Sequence, residues 1–354
     1  MNSRRFVPVA SASLLALVMA CAAEPPPPAA PPPPPPPAPV AVEVAPPPPP
    51  PAEPTPEEKK KAEERKKLEE DRTKFEQDKA VEIARWTPEM RAAAKALAEK
   101  AYPSGHAAIE AALAGTHRRP GNAARDTWRH PLKTLDFLGF KPTMTVLEVG
   151  PGEGWYTEIL APALAKSGKL IATGSDPNGP VEDRNTLNGQ RFKAFLDTSP
   201  ELYGKVQTVV VDSKAPKLGL DKAVDLVLFI REVHGMHTSK TFLPWLAEVS
   251  KALKPGGILG IVEHRAKPDT NPDDTAKKGY VAEKWVIDQV QAAGFKLAGK
   301  SEVNANPKDT KDYSEGVWSL PPTYRENDVN REKYKAIGES DRMTLKFVKV
   351  AAPK

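Results

Sequence analysis

The chain has 354 residues, 40 of them proline, and twenty of those prolines lie between Pro25 and Pro56. That stretch cannot belong to a packed core, because proline brings no N–H to a helix or a sheet ladder. Lys and Arg number 51 against 46 acids, a net charge of +5 with no unmatched basic cluster, which gives no footing for nucleic-acid binding. One cysteine excludes an intramolecular disulfide and a cysteine-built zinc site, and no apolar run reaches the length of a spanning helix.

Arg4 and Arg5 precede an uncharged, mostly apolar stretch from Phe6 to Ala20, and Cys21 follows directly. Basic start, apolar stretch and small residue read as a signal peptide over residues 1–21. The lone cysteine after Ala20 is similar to the lipobox of bacterial lipoproteins, which implies cleavage before Cys21 and acylation of its thiol. Acyl chains there hold a protein on a membrane surface without a spanning helix. Ala22 at the next position leans toward the outer membrane, with the domain facing the periplasm. The plainer reading is a secretory leader that happens to end in cysteine.

Residues 22–56 read as a disordered, extended proline-rich linker, whose ~3.1 Å rise per residue gives a reach of roughly 110 Å. From Glu57 to Arg85 the composition turns to Glu, Lys and Arg, with pairs such as Glu63 and Lys67 at helical spacing. Leu68, Phe75, Ile83 and Trp86 are too sparse for a coiled-coil seam, so the expectation is a solitary solvated helix. Thr87, Pro88 and Glu89 then cap and open a second helix over Met90 to Ala101 that packs on the domain. The helical region thus spans 57–101, and the domain 102–354.

In that domain, strand-like apolar runs alternate with helical segments, the pattern of an α/β sheet covered on both faces. Seven strands are expected: Thr143–Val149, Leu170–Thr173, Val206–Val211, Val224–Ile230, Ile258–Val262, Lys296–Val303 and Met343–Val350. They predict a Rossmann-like, doubly wound seven-stranded sheet. Between the first strand and a helix stands Glu148-Val149-Gly150-Pro151-Gly152-Glu153-Gly154. Glycines at these positions let backbone turn sharply and approach a ligand closely. A dinucleotide fingerprint would need glycine where Trp155 stands, and Glu148 would repel a pyrophosphate, which disfavours an NAD-dependent oxidoreductase.

This loop resembles that of the class I S-adenosylmethionine-dependent methyltransferases. The resemblance implies S-adenosyl-L-methionine as cofactor, with Glu148, Gly150, Gly152 and Gly154 around its methionine part. It further implies that Asp176, 26 residues beyond Gly150, holds the ribose hydroxyls and that Asp212 meets the adenine amino group. Lys254-Pro255-Gly256-Gly257 matches the turn the family often places before the fifth strand. The segments Gly154–Leu160, Arg231–His234, Val262–Arg265 and Asp341–Phe347 look like a bacterial group of exported predicted methyltransferases of unassigned chemistry.

In open α/β sheets the ligand sits beyond the carboxyl ends of the strands. Strand four ends in Arg231, Glu232 and His234, with His237 beyond, and strand five in Glu263 and His264. The expected roles are His234 or His264 as general base, Glu232 and Glu263 as orienting groups, and Arg231 on an acidic acceptor group. The competing view makes Glu263 and His264 a buried structural network and leaves His237 on the surface. A metal on His234 and His237, three residues apart, with the nearby carboxylates is disfavoured, because their convergence does not follow from spacing. Arg118, Arg119, Arg125, Asp126, Arg129 and His130 either close over the cofactor or form a solvated helix, the latter favoured for Arg118 and Arg119. Tyr313, Trp318, Pro321, Pro322, Tyr324 and Arg325 sit in a long insertion that either walls an acceptor pocket or makes its own small core. Trp155 and Tyr156 are expected to pack at the helix start.

The leading expectation is an envelope lipoprotein that methylates oxygen or nitrogen of a small or lipid-like acceptor, with no nucleic acid and no defined protein partner. The compartment counts against it, since the charged cofactor is made in the cytosol and crosses no bilayer freely. The alternative is a noncatalytic, envelope-anchored module that binds a nucleoside-like ligand or a protein partner.

Overall fold

The computed structural model describes residues 30–35 and 54–350. The expected signal segment, Cys21 and most of the proline-rich linker lie outside the described residues; residues 30–35 are exposed and carry no helix or strand. Among the described residues, 54–350 form one compact unit.

Seven strands form one sheet: β1 Thr145–Val149, β2 Lys169–Gly174, β3 Gln207–Val210, β4 Val224–Ile230, β5 Leu253–His264, β6 Phe295–Ser301 and β7 Arg342–Lys349. Their order is β3-β2-β1-β4-β5-β7-β6. β1 to β5 pair in parallel, whereas β7 runs antiparallel to both β5 and β6. The central strands read as nearly continuous apolar runs because both of their faces are covered. Val146, Leu170, Leu226 and Leu228 pack into one core, and Leu147, Val149, Ile171, Val227 and Phe229 into the other. Ile159, Leu160 and Leu164 of the helix Thr157–Leu164 close the first core, together with the helices Gly105–Leu113 and Pro131–Leu138. The helices Phe242–Ala252 and Glu283–Ala292 close the second. The strand order reverses between β1 and β4, so a crevice opens beyond their carboxyl ends.

Two expectations about elements change. β5 begins at Leu253, so the turn read before it is an irregularity within it: Leu253 pairs with Val224, and the register shifts between Val224 and Leu226. The charged helix, Pro56–Arg85, opens on a Thr55–Glu58 capping box but is not solitary. Arg72 donates to Gln190 Oε1 at 3.0 Å, Arg184 to Asp71 at 2.7 Å, and Arg85 to the carbonyls of Thr116 and His117. Its second half therefore lies against the helix Arg184–Asp197 and the loop after the helix Gly105–Leu113, while Leu68 is buried. The helix Pro88–Glu99 packs through Ala94 and Ala98, as expected.

Arg118 overturns the solvated reading of its segment. It is 5% exposed and bonds Glu158 at 2.9 Å and Asp126 at 2.9 and 3.1 Å. Trp155 and Tyr156 are buried edge to face at a centroid separation of 4.7 Å, and Trp155 Nε1 donates to the Asn122 carbonyl. The segment before β1 is thus clamped onto the start of the helix that follows the glycine loop.

Candidate active site

A cleft of about 460 Å³ lies at the switch point. The loop after β1, the ends of β2 and β3, and the segment Glu232–Thr241 after β4 wall it, with Asn185, Asn188 and Arg191 on one side. Most of the polar groups among these residues are hydroxyls and amides, which suits a neutral, hydroxyl-rich ligand better than a polyphosphate.

The three loop glycines share left-handed backbone but not surroundings. At Gly152 (φ 58°) an added Cβ would meet nothing within 4 Å, so the bare backbone faces open space. At Gly150 (φ 65°) it would strike the Glu232 carboxyl at 2.4 Å. At Gly154 (φ 87°) it would strike the Phe195 ring, also at 2.4 Å. Gly154 is therefore a packing glycine, and it does not line the cleft.

The acids also fall differently from the expectation. Glu148 is 3% exposed, lies beneath the loop and accepts from Thr157 Oγ1 at 2.7 Å. Burial raises its pKa to about 7 against that hydrogen bonding. Glu232 lines the cleft, as does the exposed Glu153 of the glycine loop, and the Glu232 pKa is raised to about 8, by burial first and then by Glu263 and Glu148, with His234 and Arg231 opposing. Asp176 and Asp212 are exposed and do not line the cleft. Each closes its own turn instead: Asp176 accepts from the Asn178 N–H and Asp212 from the Lys214 N–H, both at 2.9 Å. Ser175 and Ser213, one residue away from them, are the side chains that reach the cleft.

Beside the cleft, the structure brings together His234, Glu263 and His264, whose donor atoms lie within 4.8 Å of one another. Glu263 is fully buried and its oxygens are taken: Oε2 accepts from the Val233 and His234 N–H groups at 2.6 and 3.3 Å. Oε1 accepts from the His264 N–H at 2.8 Å and meets His234 Nδ1 at 3.0 Å. With its lone pairs used in this way, Glu263 is a hydrogen-bonding acceptor rather than a metal ligand. It ties the end of β5 to the short helix Val233–Thr238.

The two histidines are tuned in opposite directions. Burial works against charge on His234, but Glu263 outweighs it and raises the pKa. Burial, with His234 and Arg231 adding to it, holds the His264 imidazole well below the usual histidine range. His264 Nδ1 faces Ser340 Oγ, which leaves Nε2 as its free nitrogen. His237 stands apart, with Nε2 2.8 Å from Asp273 and its ring against Trp285.

The insertion before β7 divides between its two expected roles. Tyr313, Leu320 and Tyr334 form a small core of their own, with Tyr324 against it. Trp318 instead turns its ring toward His234, at 6.0 Å between centroids, and carries Arg325 over its face at 4.6 Å. Arg231, at the end of β4, has φ 64°, an uncommon conformation for a residue with a side chain.

No protein-family model matches the chain. Among solved structures it is similar to a SAM-dependent methyltransferase from Aquifex aeolicus, at 19% identity over 65% of this chain and 95% of that one, with a TM-score of 0.43. It is also similar to a putative sarcosine dimethylglycine methyltransferase from Galdieria sulphuraria, at 14% identity over 65% and 87% of the two chains, with a TM-score of 0.44. A third match is the [4+2]-cyclase SpnF, at 16% identity over 63% and 81%, with a TM-score of 0.43. What the sheet order and the cleft define by themselves is a doubly wound α/β protein with a cleft at its switch point.

Proposed function

We propose that the protein is an S-adenosyl-L-methionine-dependent methyltransferase acting on oxygen or nitrogen of a small or lipid-like acceptor. The observation that carries this reading is the bare, left-handed backbone at Gly152, which faces open cleft, while the Glu232 carboxyl lines the same cleft against Gly150. A cofactor with an amino-acid end and a nucleoside end fits such a site. Backbone at Gly150 and Gly152 allows close approach, Glu232 offers a carboxyl to an ammonium, and Ser175, Asn185 and Asn188 offer partners to ribose hydroxyls. When bound, the cofactor supplies a methyl group already activated by its sulfonium.

The chain's own residues then have three tasks. Glu232 orients the amino end and loses its proton to do so, because an adjacent ammonium favours the carboxylate. His264, uncharged at neutral pH, is ready to take a proton at Nε2 from an acceptor hydroxyl or ammonium. His234, held toward its charged form by Glu263, positions rather than deprotonates, and Trp318 beside it excludes water.

Calorimetry of the full chain with S-adenosylhomocysteine, S-adenosylmethionine and NAD tests this. Saturable binding of the first two, lost in Gly152→Val, supports the proposal. The side chains of Asp176 and Asp212 favour a second reading, a noncatalytic envelope module with a nucleoside-like pocket. Absence of heat from all three compounds supports that reading and sinks the first.

We infer further that Cys21 carries acyl chains and holds the domain at the outer membrane, facing the periplasm; the motif Val18-Met19-Ala20-Cys21 supports this. Labelling with an alkyne fatty acid decides it: label absent from the wild type, or retained in Cys21→Ser, removes the anchor.

A further inference from the structure

Three arginines converge behind His264 with too little negative charge among them. Arg129 is 4% exposed, and its Nε reaches both oxygens of Glu339 at 2.9 and 3.0 Å. Arg342 is 3% exposed; Nη1 donates to Glu339 Oε2 at 2.7 Å and Nη2 to the Trp128 carbonyl at 2.8 Å. Arg231 is the third, close enough to weigh on the charge of both others. Glu339 is the one carboxylate bonded to any of them among the described residues.

The hydrogen-bonding count points the same way. Arg129 Nη2, Arg231 Nε and Arg342 Nε are buried donors with no acceptor among the described residues, and His130 Nδ1 beside the cluster is unpartnered too. Buried polar groups are normally satisfied, and a guanidinium does not escape the problem by giving up its proton. Yet burial first, and Arg231 next, draw the pKa of Arg129 down to about 8, a measure of how poorly the charge is balanced. Planar forks of this kind match oxyanions, which accept several N–H groups at once.

Position connects the cluster to the chemistry. Arg342 on β7 is the direct cross-strand partner of His264 on β5, so the two side chains share a face at the end of the sheet. Arg231 is joined to the same place through its N–H, which donates to the Val262 carbonyl at 2.7 Å. Both Arg231 and His264 keep part of their surface exposed, so the face is reachable.

We propose that Arg129, Arg231 and Arg342 form a binding site for an oxyanion carried by the acceptor, a carboxylate or a phosphate monoester, which sets the acceptor against His264. The word acceptor rests on the methyl-transfer reading; the anion site does not. The acceptor is then an acidic metabolite or an anionic lipid headgroup rather than a neutral one.

The test is thermal unfolding of the full chain titrated with sodium phosphate and, separately, sodium acetate, at ionic strength held constant with sodium chloride. A saturable rise in Tm is expected with at least one oxyanion, phosphate marking a phosphomonoester and acetate a carboxylate. In Arg231→Gln, whose lost Nε has no partner among the described residues, the half-saturating concentration should rise at least tenfold, and Arg231→Lys should fall between. No rise beyond the chloride control in the wild type, or a rise kept in full by Arg231→Gln, overturns the proposal. S-adenosylhomocysteine affinity in the same samples separates the two ideas. S-adenosylhomocysteine binding without an anion effect removes only the anion site, and the converse removes only the methyl-transfer reading.

Discussion

Gly152 and Gly154 sit two residues apart with φ of 58° and 87°, yet one borders empty cleft and the other the ring of Phe195. Alanine at either position meets the strain of left-handed backbone, ~1–2 kcal/mol. At Gly154 the clash with Phe195 adds overpacking of ~1–3 kcal/mol. Urea unfolding should therefore show Gly154→Ala destabilised by about 3 kcal/mol and Gly152→Ala by about 1 kcal/mol. Equal losses would mean that the two sites are not distinguished in this way. Spacing alone presented the three glycines as one ligand-facing set, because Phe195, the neighbour that explains Gly154, lies 41 residues away in the chain. The burial of Glu148 is legible in the strand pattern. Strand alternation puts it on the same side as Val146, toward the covering helices, where Thr157 meets it. Of the two acids that do reach the cleft, Glu153 belongs to the glycine loop and Glu232 comes from the other side of the switch point.

At the scale of elements, the strands were legible wherever apolar residues ran unbroken between turns, and the parallel β1–β5 core followed from that pattern. The helices Gly105–Leu113 and Pro131–Leu138 were not expected, although Ser104 caps the first and Pro131 opens the second, since about two turns of helix are too short to display an apolar repeat. The length of β5 was missed because Pro255 and the two glycines after it spell a turn, whereas flanking pairing carries the strand through them. Docking of the charged helix was also invisible. It depends on polar side chains, Asp71 and Arg72, that on sequence alone look like the rest of a solvated face. The insertion showed its aromatics but not their division, since only tertiary packing sends Trp318 to His234 and Tyr313 and Tyr334 to each other.

Across the whole molecule, several buried titrating groups oppose one another, and their balance sets a pH dependence. Glu148 and Glu232 have folded pKa values raised to about 7 and about 8, so their contribution is complete below their unfolded values and is lost as pH climbs through those numbers. His234, also raised, adds to the same trend. His264, depressed, and His117, lowered to about 4 chiefly by burial, act in the opposite sense, with stability lost as pH falls below the unfolded histidine value. The two groups largely offset each other between about pH 4.5 and 6.5, but above about pH 6.5 only the first still titrates. The stability read from urea unfolding should accordingly fall between pH 6.5 and 8, by roughly 1 kcal/mol from Glu148 alone. Glu148→Gln should flatten that fall, and a midpoint that rises over this range would contradict the assignment.

The most direct measurement is a crystal structure of the full chain grown with S-adenosylhomocysteine. The expected result is electron density for the nucleoside along Gly150 and Gly152, with its amino group within hydrogen-bond distance of the Glu232 carboxyl. Side chains filling that space, or the compound bound elsewhere with Glu232 untouched, would contradict the account.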